Sequence, residues 1–150
     1  MTHALHDLLG DLVSVNSRLT RVAAHAAGGS ESPAVWRTLS VLRTSGPIRL
    51  GALATLSRVS QPTATKLVTA LEQRGWVTKV SDPTDSRATQ TAITAAGETA
   101  LSDWRDQLAT ALFPLFSDLS AAELDTLRSA TDILRARVER SEGTTLEEKP

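Results

Sequence analysis

The sequence predicts a mainly α-helical fold carrying one small β-hairpin. Three observations predict it. Apolar residues recur at steps of three and four through most of the chain, the spacing of helices with one buried face. That rhythm changes to alternation only in Trp76–Val80 and, more weakly, in Thr89–Ile93. Gly, Pro or a capping Ser/Thr stands where one rhythm gives way to the next. The 150 residues are 41% hydrophobic and 22% charged, the balance of a soluble globular chain that can build its own core.

Each element can be justified in turn. Leu5, Leu8, Leu9, Leu12, Val15, Leu19, Val22 and Ala26 mark one face of a long first helix, and Gly28-Gly29-Ser30 stops it. Ser32-Pro33 sets a capping residue before Pro, opening a second helix with Val35, Trp36, Leu39 and Leu42. Gly46-Pro47 ends it. An extended Ile48-Arg49 leads into a short helix bearing Ala52, Leu53 and Leu56, and Ser57 to Ser60 make a turn. Ser60 caps the next helix, with Pro62 in its first turn, where a missing N–H costs nothing. Ala64, Leu67, Val68 and Leu71 face a core, and Gly75 closes the helix. The two alternating stretches then form a hairpin with Ser81–Ala88 as its protruding tip.

Thr94 caps a long helix striped by Leu101, Trp104, Leu108, Leu112, Leu115, Phe116 and Leu119, with Pro114 expected to kink it. Ser120-Ala121-Ala122-Glu123 is a capping box that opens a last helix with Leu124, Leu127, Thr131, Leu134 and Val138. From Ser141 to Pro150 the rhythm is lost, and fraying is expected.

Composition excludes several classes of function. Without Cys there is no disulfide, thiolate zinc site, nucleophilic Cys or cysteine redox switch. No apolar run approaches the roughly 18–20 residues of a membrane span, and the N-terminus lacks the basic start of a signal peptide, so the cytoplasm is the expected address. There is no Gly-rich phosphate loop and no HExxH. His3, His6 and His25 all fall on the first helix, which leaves no defensible Ser/His/Asp triad and favours ordinary surface or packing histidines over metal ligands. Neither an enzyme nor a cofactor is expected.

Charge is more telling. The formal net charge is −1, yet from Pro33 to Thr91 stand Arg37, Arg43, Arg49, Arg58, Lys66, Arg74, Lys79 and Arg87 against only Glu72, Asp82 and Asp85. A basic middle between acidic flanks is the asymmetry of a fold with one part turned to polyphosphate.

A short helix, a turn, a capped helix and a hairpin in succession make a winged helix-turn-helix. The capped helix turns Gln61, Thr63, Thr65, Lys66 and Thr69 away from its aliphatic stripe. Gln suits adenine N6/N7, Lys suits guanine or phosphate, and Thr and Pro suit a thymine methyl. On the hairpin tip Arg87 has two open roles. It can pair with Asp82 or Asp85 and stiffen the tip, or it can extend into a minor groove, whose potential favours Arg.

These features resemble the MarR (multiple antibiotic resistance regulator) family of bacterial transcription factors. LGALATLSRVSQPTATKLVTALEQRGWV, the wing DPTDSRATQTAIT and the closing TAAG carry the resemblance. It implies a homodimer on a palindromic operator, with DNA contacts from Ser60, Gln61, Pro62, Thr63, Thr65, Lys66 and Arg87 and with Asp82 and Asp85 as wing supports. The wing departs from the family pattern, carrying Thr84 and Ser86 where members commonly have further Arg. In the family a ligand pocket lies between the dimer helices and the DNA-binding lobe, which makes Trp36 and Trp104 candidate lining residues.

Dimerisation also follows from the stripes themselves. Leu5, Leu8, Leu9, Leu12, Leu115, Phe116, Leu119, Leu127 and Leu134 exceed what a small central domain can cover and invite a second copy. The expected organisation is a dimerisation helix in 1–31, a DNA-binding lobe in 32–94, dimerisation helices in 95–141 and a frayed tail in 142–150. The expected function is a repressor binding double-stranded DNA and released by a small-molecule effector. The rival is a winged helix that serves only as a protein-interaction module, which has no need of Gln61, Lys66 and Arg87 exposed together.

Overall fold

The computed structural model describes residues 1–147, and the order of elements is α1 (Thr2–Ala27), α2 (Pro33–Ser45), α3 (Leu50–Ser57), α4 (Gln61–Gln73), β1 (Val77–Ser81), β2 (Thr89–Ile93), α5 (Ala95–Phe116) and α6 (Ala121–Glu147). The chain divides into two compact units, Met1–Leu112 and the residues from Phe113 onward.

In the first unit the core is built where four helices and the hairpin present their apolar stripes. Val35, Leu39 and Leu42 of α2 meet Leu53 of α3, Val68 and Leu71 of α4, Val77 of β1 and Leu101 of α5. Leu39, Leu42 and Leu53 are wholly buried, each contributing roughly 1.5–3 kcal/mol of apolar transfer. The strands pair antiparallel from Val77 opposite Ile93 to Ser81 opposite Thr89. Ile48 adds a third rung on the far edge: it bridges Thr91, whose N–H donates to the Ile48 carbonyl at 2.8 Å. The extended Ile48-Arg49 is thus the link that ties the chain before α3 to the root of the hairpin.

Local chemistry explains most boundaries. Gly28 and Gly46 take positive φ beyond α1 and α2, a conformation costly for residues with a Cβ. Ser32 stands at the N-cap of α2, but through its backbone alone, since its side chain makes no capping bond. Between α3 and α4 the left-handed position falls to Arg58 (φ 55°), the one non-glycine residue with positive φ among those described. Its N–H closes α3 on the carbonyls of Ala54 and Thr55, and Arg37 Nε donates to the Ser57 carbonyl at 2.5 Å beside it.

Two boundaries before α6 differ from the sequence expectation. Trp76 does not begin the strand, because its N–H is taken by the Leu71 carbonyl (3.0 Å), closing α4 instead. The stripe read through Leu119 is interrupted, since α5 stops at Phe116 and leaves Pro114 in its last turn.

In the second unit the capping box forms as read. Glu123 N–H donates to Ser120 Oγ (3.1 Å) and Ser120 N–H donates to Glu123 Oε2 (2.9 Å). The latter bond holds the Glu123 carboxyl below its usual range. Helix α6 continues past Ser141 to Glu147, while 148–150 of the expected frayed tail lie outside the described residues. No described helix is long and apolar enough to cross a membrane.

Candidate nucleic-acid interface

Helix α4 is two-faced by construction. Ala64, Val68 and Leu71 are buried, while Ser60, Gln61, Pro62, Thr63, Thr65, Lys66 and Thr69 are all exposed. Ser60 caps the helix by accepting the Thr63 N–H at 3.2 Å, and its own hydroxyl donates to Thr63 Oγ1 at 2.9 Å. Thr65 donates back to the Gln61 carbonyl (3.0 Å) and Thr69 to the Thr65 carbonyl (2.9 Å). Their hydroxyl protons are therefore spent within the helix, leaving methyl groups and oxygen lone pairs for anything that approaches. The side chains of Gln61 and Lys66 have no hydrogen-bond partner among the described residues and keep their donors available.

The wing is held by its acids. The Asp82 side chain is almost fully buried and collects three donors: Thr84 N–H (2.8 Å), Thr84 Oγ1 (2.7 Å) and Arg49 Nε (2.6 Å). The Thr84 hydroxyl, the Thr84 N–H and then Arg49 pull the Asp82 pKa down to about 2. Arg49, conversely, is raised by its hydrogen bond to Asp82. Asp85 Oδ1 accepts the Arg87 N–H at 3.0 Å, and Ala88 N–H donates to the Asp85 carbonyl at 3.0 Å, which folds the tip.

The pairing of Arg87 with either acid, open in the sequence, is not made. Among the described residues the Arg87 side chain enters no ion pair, and Arg49 takes the place beside Asp82. In the sequence Arg49 stands in the basic middle and in the extended Ile48-Arg49, and neither placement by itself marks it as a wing residue. The signal that could have found it was the extended Ile48-Arg49 itself, because the Ile48 bridge to Thr91 delivers the next side chain to the wing root. Thr84, standing where a further family Arg was looked for, locks Asp82 instead.

A cavity of about 680 Å³ opens in the same unit, with Trp36, Trp104, Leu101 and Leu108 among its apolar walls and Arg21 and Arg105 among its cations. Trp36 and Trp104 thus do line a cavity together.

The MarR family model matches residues 32–89, from the N-cap of α2 to the start of β2. An uncharacterized HTH-type transcriptional regulator of Mycobacterium bovis is 30% identical over 103 residues, 69% of this chain and 72% of its own length. The chain belongs to the MarR family. A second relative, the uncharacterized HTH-type transcriptional regulator YpoP of Bacillus subtilis, is 30% identical over 89 residues, 59% of this chain and 63% of its own. Among solved structures, transcriptional regulator Tm0710 from Thermotoga maritima aligns with a TM-score of 0.70 at 25% identity, covering 91% of this chain and 96% of that one. Wild-type MarR from E. coli shares the fold at 22% identity, with a TM-score of 0.66 and coverage of 84% and 95%. As a MarR-family member the chain is a DNA-binding transcriptional regulator and not an enzyme. Its helix-turn-helix is α3–α4 and its wing is the β1–β2 hairpin.

Proposed function

We propose that this MarR-family regulator works as a homodimeric repressor on a palindromic operator, laying α4 in the major groove and the wing in the minor groove. Ser60, Gln61, Pro62, Thr63, Thr65, Lys66 and Thr69 meet bases and phosphates, Arg87 enters the minor groove, and Asp82 and Asp85 hold the wing for it. One observation carries the reading: the side chains of Gln61, Lys66 and Arg87 are exposed without partners among the described residues, on backbone that the fold pins in place. A wing that only docked on proteins would gain nothing from such unpaired donors, whereas DNA rewards each cation by counterion release.

A second copy is invited by what each unit leaves uncovered. On α1, Leu5, Leu8 and Leu9 are exposed, Leu8 by 63%, and Leu12 is half-buried. In the second unit Leu115, Phe116, Leu127 and Leu134 are exposed and Leu119 is half-buried. Sequestering these stripes in a homodimer removes apolar patches that monomers rarely tolerate. A small-molecule effector fits as well, since a cavity of about 680 Å³ falls within the roughly 300–1,000 Å³ of ligand pockets. Its binding frees the operator, in the cytoplasm, by altering the separation of two helices that must match half-sites about 34–36 Å apart.

The experiment is titration of the chain against DNA from upstream of its own coding sequence over a range of salt, beside Lys66→Ala. The reading expects affinity to fall steeply with salt, and Lys66→Ala to bind more weakly with unchanged melting. A flat salt response with full affinity in the variant turns the assignment to the protein-interaction module.

A further inference from the structure

The chain has three tryptophans and no tyrosine, and all three tryptophans stand in one stack. Trp36 and Trp104 lie nearly parallel, 9° apart, with ring centroids separated by 5.0 Å. Trp36 also stacks with Trp76 at 5.9 Å. Trp36 is thus the ring common to both pairs. The Arg74 guanidinium sits 4.9 Å over the Trp76 ring and pairs with Glu31. At the other end a Cβ on Gly29 would come within 2.5 Å of Trp104 Cζ3, so the indole lies directly against the α1–α2 connection.

The two ends of this column belong to different features. Arg74 and Trp76 close α4, their N–H groups donating to the carbonyls of Ala70 (3.3 Å) and Leu71 (3.0 Å). Trp76 is further fixed by the Thr94 N–H on its carbonyl at 3.0 Å. Glu31, Trp36 and Trp104 line the cavity. The Trp36 indole N–H is buried without an acceptor among the described residues, so ring faces rather than a hydrogen bond hold Trp36.

We propose that Trp36 is a positioning residue for α4, coupling the state of the cavity wall to the C-terminal cap of the helix that reads DNA; this rests on the assignment of α4 above. A shift of Trp104 or Trp36 is passed by stacking to Trp76, and Trp76 cannot move without disturbing the bond that ends α4. Glu31 provides a parallel route, because it joins the cavity wall to Arg74 at the same cap.

The test is a double-mutant cycle read as affinity for a duplex that the wild-type chain selects from a random-sequence pool. Trp104→Leu and Trp76→Leu are each expected to weaken binding by about three- to tenfold, the scale of one aromatic contact. The double variant is expected to lose no more than the weaker-binding single variant, because both break the same column. Trp36→Leu should match the double variant and abolish the tryptophan exciton couplet in circular dichroism. Trp36→Phe, which keeps a stacking ring, should recover most of the affinity. Helical melting without DNA establishes that each variant is folded at the assay temperature. If Trp36→Leu does not fold, the Trp104 and Trp76 pair still decides the matter. Additive losses in that pair, or full affinity in a folded Trp36→Leu, overturn the proposal. Lys66→Ala in the same assay separates the two assignments. If it binds normally, the DNA-reading role of α4 fails; if it weakens binding while the Trp variants behave as wild type, only the coupling fails.

Discussion

Truncating Arg87 tests a single electrostatic contact of the proposed interface. Its side chain has no ion pair among the described residues, while its N–H is held by Asp85 and the tip is closed by the Ala88-to-Asp85 and Asp82-to-Ala88 backbone bonds. Arg87→Ala therefore removes a cation and leaves the wing's own bonds in place. In a two-fold dimer the change occurs twice. With about 0.9 in log–log salt slope per phosphate, the slope falls by about 1.8. Over a fourfold rise in salt, from about 50 to 200 mM, the wild type should lose about twelvefold more affinity than the variant. Fluorescence anisotropy of a labelled duplex at several salt concentrations gives both slopes directly. Parallel lines for the two proteins would refute the placement of Arg87 in the minor groove. A lowered melting temperature in Arg87→Ala would refute the claim that this side chain plays no part in holding the wing.

Asp82 should make the lobe acid-sensitive. Its folded pKa of about 2 lies below the ordinary 3.8, so the unfolded chain takes up protons first as pH falls. The stabilisation is complete above 3.8 and is lost as pH drops towards about 2; melting curves of Asp82→Asn should lack the part of the decline that falls in this window. Ser60→Ala deletes the acceptor for the Thr63 N–H and should cost about 1 kcal/mol in urea unfolding. Light scattering at low micromolar concentration should give the mass of a dimer; a stable monomer would contradict the reading of the Leu5–Leu12 and Leu115–Leu134 stripes.

What the sequence disclosed and what it withheld divide along the range of the interactions. Helix α4 was legible because its determinants are local: Ser60 caps it three residues from Thr63, Pro62 enters its first turn and Gly75 follows its end. The Ser120–Glu123 box was legible for the same reason. The role of Trp76 was not, since an apolar residue ahead of an alternating run looks like a strand start whether its N–H goes to a partner strand or back to Leu71. The Arg49–Asp82 pair joins residues 33 apart, and no periodicity announces a contact that depends on the one-residue bridge of Ile48. At the interface, the exposed set on α4 could be named from its spacing. That Thr65 and Thr69 turn their protons inward could not, because it is a rotamer choice. The end of α6 was set too early because the apolar stripe stops at Val138, whereas the backbone continues through Glu139, Arg140 and Glu142, residues that favour helix.

The left-handed Arg58 carries a consequence for what this turn can tolerate. A side chain there costs roughly 1–2 kcal/mol relative to an unstrained backbone. Glycine would relieve that cost, but it would also widen the unfolded ensemble by about 0.4–1 kcal/mol. About half of the relief is thereby cancelled, and the joint between α3 and α4 keeps only a modest thermodynamic preference for the smaller residue. A long, permanently charged arm thus stands at the hinge of the helix pair at a modest cost to the fold.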